Sequence, residues 1–87
     1  MPHWNLKIDL APEIKRWNDG EVSIEELARA VKSKIDESGW RAFTPYPHTF
    51  DDRLGRLLQA ETASQYETAF EYIYDLADED RVWIDTH

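Results

Sequence analysis

Residues 23–39 have the sequence SIEELARAVKSKIDESG, and this stretch carries the clearest helix signal in the chain. Ser23 and Glu26 form a capping box, the pairing that satisfies free backbone N–H groups at a helix start. Apolar residues then recur at helical spacing, at positions 24, 27, 28, 31 and 35. Gly39 supplies the left-handed residue that commonly follows a helix. The stretch therefore predicts a helix over about residues 24–38.

Outside this helix, both ends of the chain predict strands. Residues 4–10, WNLKIDL, alternate apolar and polar side chains, which is typical of a strand with one buried face. Residues 81–86, RVWIDT, place Val82 and Ile84 on one face and Trp83 on the other. Because the termini of small domains often lie close together, we expect these two strands to pair.

Three more segments predict helices. A short helix follows Pro12, which is tolerated in a first helical turn. Another begins near Thr49, and we expect this threonine to cap it. The last covers about residues 65–79, and we expect a capping box of Ser64 and Glu67 to open it.

Between the helix over about residues 24–38 and the one that begins near Thr49, residues 40–44, WRAFT, predict a short strand. The 87 residues leave room for one core, so we expect a single globular domain over residues 1–87. The order of elements predicts an α+β fold, mainly helical, with about four helices and a small sheet formed by the terminal strands. An all-α bundle with extended ends is the alternative. The predicted core positions are Trp4, Leu6, Ile8, Leu27, Val31, Leu57, Phe70 and Ile73.

The net charge is −8, from 18 acidic residues against 10 lysines and arginines. This balance argues against direct binding to nucleic acid or to an anionic membrane, because both need a basic face. It suits a protein partner with a basic surface. The absence of cysteine favours the cytoplasm. No apolar run approaches the length of a membrane span, and the first ten residues lack the pattern of a signal peptide.

The acidic residues concentrate near the end of the chain. Residues 57–80 hold seven acids and no lysine or arginine. At 100° per residue, five of these acids fall within an arc of about 120° on the last helix. Tyr72 and Tyr74 flank this arc, one on each edge. We name the arc the acidic face; it consists of Glu67, Glu71, Asp75, Asp78 and Glu79.

Two explanations account for the acidic face. Like charges four residues apart destabilise a helix by about 0.2–0.5 kcal/mol per pair, so stability alone does not favour the pattern. A docking surface for a basic partner is one explanation, with Tyr72, Tyr74 and Tyr46 as anchors, because tyrosine is enriched at interface cores. A solvated face that keeps a small protein in solution is the other.

Residues 40–50 pack four aromatic side chains around two prolines, either as a recognition loop or as a plug for the core. Within the same segment, His48 stands near Asp51 and Asp52, the one cluster that resembles acid–base apparatus. No phosphate-binding loop, nucleophile elbow or metalloprotease motif occurs in the chain. The sequence therefore predicts a protein that is not an enzyme and that uses neither cofactor nor metal.

Residues 72–86, YIYDLADEDRVWIDT, resemble the endings of small uncharacterised proteins encoded by phages of mycobacteria and related actinobacteria. The likeness consists of an acidic helix followed by Arg-Val-Trp-Ile, and it covers fifteen of the 87 residues. The resemblance implies a phage-encoded cytoplasmic protein that binds a host protein. It carries no catalytic motif and assigns no site residue.

The leading hypothesis is a protein-binding module without enzymatic activity, docking through the last helix. The predicted partner-binding residues are Glu67, Glu71, Tyr72, Tyr74, Asp75, Asp78, Glu79 and Tyr46. An acidic nucleic-acid mimic, inhibiting a DNA- or RNA-binding protein, is the alternative. A small enzyme using His48 with Asp51 or Asp52 is the third hypothesis. No oligomeric state follows from the sequence.

Overall fold

The computed structural model describes residues 3–87 and folds them into five helices and a two-stranded sheet. This is the predicted α+β architecture, mainly helical, with a sheet formed by the terminal strands. The elements in chain order are β1 (Leu6–Asp9), α1 (Ala11–Asn18), α2 (Ile24–Glu37), α3 (Trp40–Phe43), α4 (Pro47–Leu57), α5 (Ala63–Glu79) and β2 (Val82–Asp85).

The two strands run parallel. All five helices lie in the connection between them. The register places Leu6 beside Val82 and Asp9 beside Asp85. A backbone hydrogen bond of 2.8 Å continues the pairing at each end, from Asn5 N–H to Arg81 O and from Leu10 N–H to Asp85 O. The sheet therefore fixes the end of α5 against the start of the chain.

The core lies between the helices and the inner face of the sheet. Its largest fully buried side chains are Trp40, Phe50, Leu10, Leu27, Ile35, Leu57, Ile73, Leu76 and Val31. Among the predicted core positions, Ile8, Leu27, Val31, Leu57 and Ile73 are buried, and Leu6 and Phe70 are half-buried against the core.

The expectation that Trp4 is buried is wrong. Trp4 precedes β1, whose first residue is Leu6, and 37% of its surface is exposed. Its ring lies 5.1 Å from that of Trp83, measured between centroids. Trp83 is on the outer face of the sheet, so Trp4 packs outside the core rather than within it.

The strand predicted over residues 40–44 is also wrong, because Trp40–Phe43 form a single helical turn. Gly39 has φ of 84°, a left-handed value that redirects the chain after α2. The turn buries the Trp40 ring against Phe50, with 4.9 Å between ring centroids. Aromatic residues favour strands only where their side chains pack on a pleated, half-buried sheet surface. Here the Trp40 side chain packs deep in the core instead.

Two of the expected helix starts are wrong in detail. The capping box of α5 is Thr62 with Gln65, so the helix begins two residues earlier than expected and Ser64 and Glu67 do not cap it. Both pairs fit the same capping pattern, and the earlier pair opens the helix. Likewise α4 begins at Pro47, which places Thr49 inside the helix. At α2 half of the predicted capping box is present: Ser23 caps the helix, and its side chain accepts from Glu26 N–H at 3.2 Å.

Tyr66, on the buried side of α5, provides a test of core packing. Its ring stacks on Phe70 with 5.8 Å between centroids, and its hydroxyl has no hydrogen-bond partner among residues 3–87. An unsatisfied buried polar group costs about 1–3 kcal/mol. We therefore expect Tyr66→Phe to raise the free energy of unfolding by about 1 kcal/mol, measured by urea denaturation. A loss of stability would show that the hydroxyl is satisfied in solution.

The same variant carries a pH prediction. Burial raises the pKa of Tyr66, because the charged phenolate is disfavoured away from water. A raised folded-state pKa gives stability that is present below the unfolded pKa, about 10 for tyrosine, and is lost as pH rises above it. The wild-type protein should therefore lose stability above about pH 10 more steeply than Tyr66→Phe.

Candidate protein-binding surface

Helix α5 presents the acidic face because its apolar side is held in the core. Tyr66, Ile73, Leu76 and Ala77 are buried, and all five acids of the acidic face are exposed. From Glu67 to Glu79 the face extends about 18 Å along the helix axis, at 1.5 Å per residue. The 17-residue helix thus forms a straight row of carboxylates directed at solvent.

Five acids elsewhere in the chain pair with lysine or arginine, and the acids of this face do not. The ion pairs of residues 3–87 are Lys15–Asp19, Lys32–Asp36, Lys34–Glu13, Arg41–Asp51 and Arg56–Asp52. Within that described part of the chain, none of these pairs includes an acid of the acidic face. The negative potential of the face is therefore not offset by an intramolecular cation.

Tyr72 and Tyr74 lie on opposite edges of the acidic face, and half or nearly half of each residue is exposed (50% and 44%). The Tyr74 ring packs beside Phe70, with 6.2 Å between centroids. On the other edge, the Tyr72 carbonyl oxygen accepts a 2.6 Å hydrogen bond from Arg53 Nη1 of α4. On one edge Phe70 holds the Tyr74 ring, and on the other edge Arg53 holds the backbone of Tyr72.

A groove between α4 and α5 adjoins the Tyr72 edge. It has a volume of about 330 Å³, and Ala60, Ala69, Thr68, Arg56 and Tyr72 line it. Most of the lining surface is apolar, which suits the side chain of a partner more than a charged group. The groove thus lies beside the acidic face on the same side of the molecule as Tyr72.

The aromatic segment of residues 40–50 divides between the two predicted roles. Trp40 and Phe50 are buried in the core, and Phe43 and Tyr46 are exposed. Tyr46 lies on the connection between α3 and α4, so it is not on the same element as the other predicted binding residues. Its backbone N–H donates to Thr44 Oγ1 at 3.3 Å, which orders this connection.

Asp80 is one of the seven acids of residues 57–80, but it is not part of the acidic face. It is buried, and its Oδ2 accepts 2.8 Å hydrogen bonds from Trp40 Nε1 and from Thr44 Oγ1. Its carbonyl oxygen accepts a third, also 2.8 Å, from the Asn5 side chain. The signal was available, because 100° per residue places Asp80 beside Ile73 and away from the acidic face. Asp80 therefore joins α3, α5 and β1 rather than contributing to the surface.

The cluster of His48, Asp51 and Asp52 takes the form of surface ion pairs. Arg41 holds Asp51 with two close contacts, Nε to Oδ1 at 3.0 Å and Nη2 to Oδ2 at 3.1 Å. This hydrogen-bonded pair lowers the pKa of Asp51 below its usual value. Asp52 lies 3.3 Å from Arg56. Both carboxylates are thus engaged by arginines at the protein surface.

Three further observations bear on the kind of site this is. Among residues 3–87, no group of three histidine or acidic side chains is arranged to hold a metal ion. No helix in that range has the length and apolar character needed to cross a bilayer. Comparison of the chain with protein-family models, with curated proteins and with solved structures found no match.

Proposed function

We propose that the protein is a binding module without enzymatic activity that docks on a basic surface of another protein through the acidic face of α5. Tyr72 and Tyr74 serve as anchors at the two edges of the face, and Tyr46 contributes from the α3–α4 connection. The observation that carries the proposal is that these five exposed acids lie together on one side of a single helix and take part in none of the ion pairs of residues 3–87.

The electrostatic argument concerns the free and bound states. In the free protein the acids of α5 repel one another, at about 0.2–0.5 kcal/mol per pair four residues apart. Lysines or arginines of a partner would relieve this repulsion and would also accelerate encounter. The groove at the Tyr72 edge gives the partner an apolar contact in addition to the charges. Charge then supplies steering, and the tyrosines supply most of the contact energy.

The setting of this function is also proposed. We place the protein in the cytoplasm, where a chain without cysteine is common. The resemblance of residues 72–86 to endings of phage proteins supports a phage-encoded modulator whose partner is a host protein. The proposed activity needs no cofactor, no direct contact with nucleic acid and no membrane.

The experiment is neutralisation of the centre of the acidic face with Glu71→Gln and Asp75→Gln together. The partner is first recovered by affinity capture and purified, and association and dissociation rates are then measured against it. We expect the association rate to fall by about tenfold at low salt, because charges at an interface rim steer encounter. The difference from wild type should shrink as salt rises, since the screening length is about 8 Å at physiological ionic strength.

The matched control is Glu25→Gln with Glu37→Gln, which removes two exposed acids from α2 instead. The control should bind as wild type does, and Tyr72→Ala or Tyr74→Ala should accelerate dissociation. The α5 variant should unfold at or slightly above the wild-type midpoint, because it relieves repulsion between like charges four residues apart. If the α5 variant binds as tightly as the control at every salt concentration, the acidic face is only a solvated surface. Competition by DNA or RNA for the same partner would favour the nucleic-acid mimic instead.

A further inference from the structure

We propose that a small cavity at the end of α5 binds one arginine side chain of the partner. The cavity has a volume of about 230 Å³, and the residues that line it are Asn5, Phe43, Pro45, Glu79, Asp80 and Arg81. The inference rests on the proposed function for the source of this arginine. Because Glu79 belongs both to the acidic face and to the cavity, a basic surface that covers the face also reaches the cavity.

The cavity reaches inward to the carboxylate of Asp80. This residue is only 7% exposed, and Trp40 Nε1 and Thr44 Oγ1 both donate to Oδ2. Among residues 3–87, no hydrogen bond reaches Oδ1. The sealed side-chain atoms without a partner in that range are Glu13 Oε2 and the Tyr66 hydroxyl, so Oδ1 is not sealed. Oδ1 is therefore the part of this buried carboxylate that stays open, and it opens into the cavity.

The charges around Oδ1 favour a cation as its partner. A carboxylate away from bulk water is costly unless donors satisfy its oxygens. Glu79 brings a second carboxylate to the same cavity. The C-terminal end of a helix carries partial negative charge, and the last turn of α5 contains no basic residue. Arg81 also lines the cavity but forms none of the ion pairs of residues 3–87. The two carboxylates are thus available to a cation from outside.

The size and lining of the cavity favour one arginine side chain. Pockets for whole small ligands usually have volumes of about 300–1,000 Å³, so this cavity suits a single side chain. Phe43 is 41% exposed and lines it. A guanidinium group stacks on aromatic rings and binds carboxylates with several donors, whereas the ammonium group of lysine is compact and strongly hydrated. We therefore expect arginine to bind more tightly than lysine.

The two walls of the cavity are joined by hydrogen bonds. Thr44 Oγ1 donates to Asp80 Oδ2 at 2.8 Å and accepts from the Tyr46 backbone N–H at 3.3 Å. The connection between α3 and α4 is therefore fixed to the end of α5. A site that is ordered before binding loses little conformational freedom when the partner arrives. The same hydrogen bonds explain how Tyr46, on a different element, belongs to the surface that contains Glu79.

The test is titration of the wild-type protein with Nα-acetyl-arginine methylamide, followed by amide NMR spectra. The amides of Phe43, Asp80 and Arg81 should shift and saturate together, with a Kd of about 1–10 mM for so small a ligand. The citrulline derivative has nearly the same shape without the charge. It should bind at least about tenfold more weakly, because charge-assisted hydrogen bonds are the stronger ones. The lysine derivative should bind about threefold more weakly than arginine.

Four variants assign the contacts. Glu79→Gln changes an exposed residue and should weaken binding of the arginine derivative about threefold. Asp80→Asn should weaken it at least about tenfold, and Glu79→Gln decides if that variant does not fold. Phe43→Leu should remove the preference for arginine over lysine. Glu25→Gln, on α2, changes the net charge as Glu79→Gln does and should leave the Kd unchanged.

Three results overturn the proposal. They are the absence of saturable shifts at the three cavity amides, equal binding of the citrulline and arginine derivatives, and wild-type affinity in folded variants of Glu79 and Asp80. A preference for arginine that survives Phe43→Leu overturns the assignment to arginine. Because the titration needs no partner, its failure leaves the rate measurements on the acidic face untouched. Conversely, an acidic-face variant that binds the partner as the control does ends the proposed function without changing the affinity of the cavity for arginine.

Discussion

Replacing Trp40 with alanine is expected to lower the free energy of unfolding by about 4 kcal/mol. Trp40 is fully buried, packs edge-on against Phe50 and donates a hydrogen bond from Nε1 to Asp80. The substitution removes the largest side chain of the core and leaves a cavity that its neighbours fill only in part. A domain of this size has about 5–10 kcal/mol in total, so the variant should be close to unfolding at 25 °C. Urea denaturation followed by circular dichroism measures the loss.

Trp83→Ala is the control for this prediction. It deletes the same side chain from the outer face of the sheet, where nearly half of the residue is already exposed. Its cost should be about half as large, roughly 2 kcal/mol, because only part of the indole is covered, by neighbours such as Trp4. Similar losses for both variants would contradict the difference in burial between the two tryptophans.

The parts of the fold that were predictable from sequence are those with local signals. Ser23 and Gly39 bracket α2 with a cap and a left-handed turn, and both signals act over a few residues. Alternation of side chains at the two termini likewise identified β1 and β2. The parallel direction of the sheet did not follow, because it depends on how the whole intervening chain is packed.

Residues 40–44 show why local signals fail. Their composition favours a strand, but Trp40 has a site in the core beside Phe50 and a hydrogen-bond acceptor in Asp80. Both contacts come from residues at least ten positions away, so no pattern within the segment itself reveals them. Tertiary contacts therefore decided the local structure, as they commonly do for short segments of aromatic composition.

The candidate site was likewise only partly predictable from the sequence. The 100° spacing along α5 was sufficient to place the acidic face on the exposed side of the helix, and the structure has all five acids exposed there. The lack of ion pairs on that face depends on where the arginines of α4 point. Arg53 donates to the Tyr72 carbonyl and Arg56 pairs with Asp52, and neither contact is visible in the sequence.

Asp80→Ala is expected to cost about 3 kcal/mol although it removes only a small polar side chain. Its Oδ2 accepts from Trp40 Nε1 and from Thr44 Oγ1, and both donors lose this acceptor in the variant. The penalty for a buried donor left without an acceptor is about 1–3 kcal/mol, so two such donors make the loss large for a residue of this size. Urea denaturation of the variant, with an unchanged denaturant slope, measures it.

Three further variants separate the hydrogen bonds from packing and charge. Asp78→Ala removes an exposed acid two positions away in the sequence and should change stability by less than about 0.5 kcal/mol. Asp80→Asn keeps an acceptor oxygen and should fall between wild type and alanine. Trp40→Phe removes one donor, so in the background of Trp40→Phe the cost of Asp80→Ala should shrink by about 1 kcal/mol or more. Strictly additive losses would show that the Asp80 side chain acts through Thr44 rather than through the Trp40 indole.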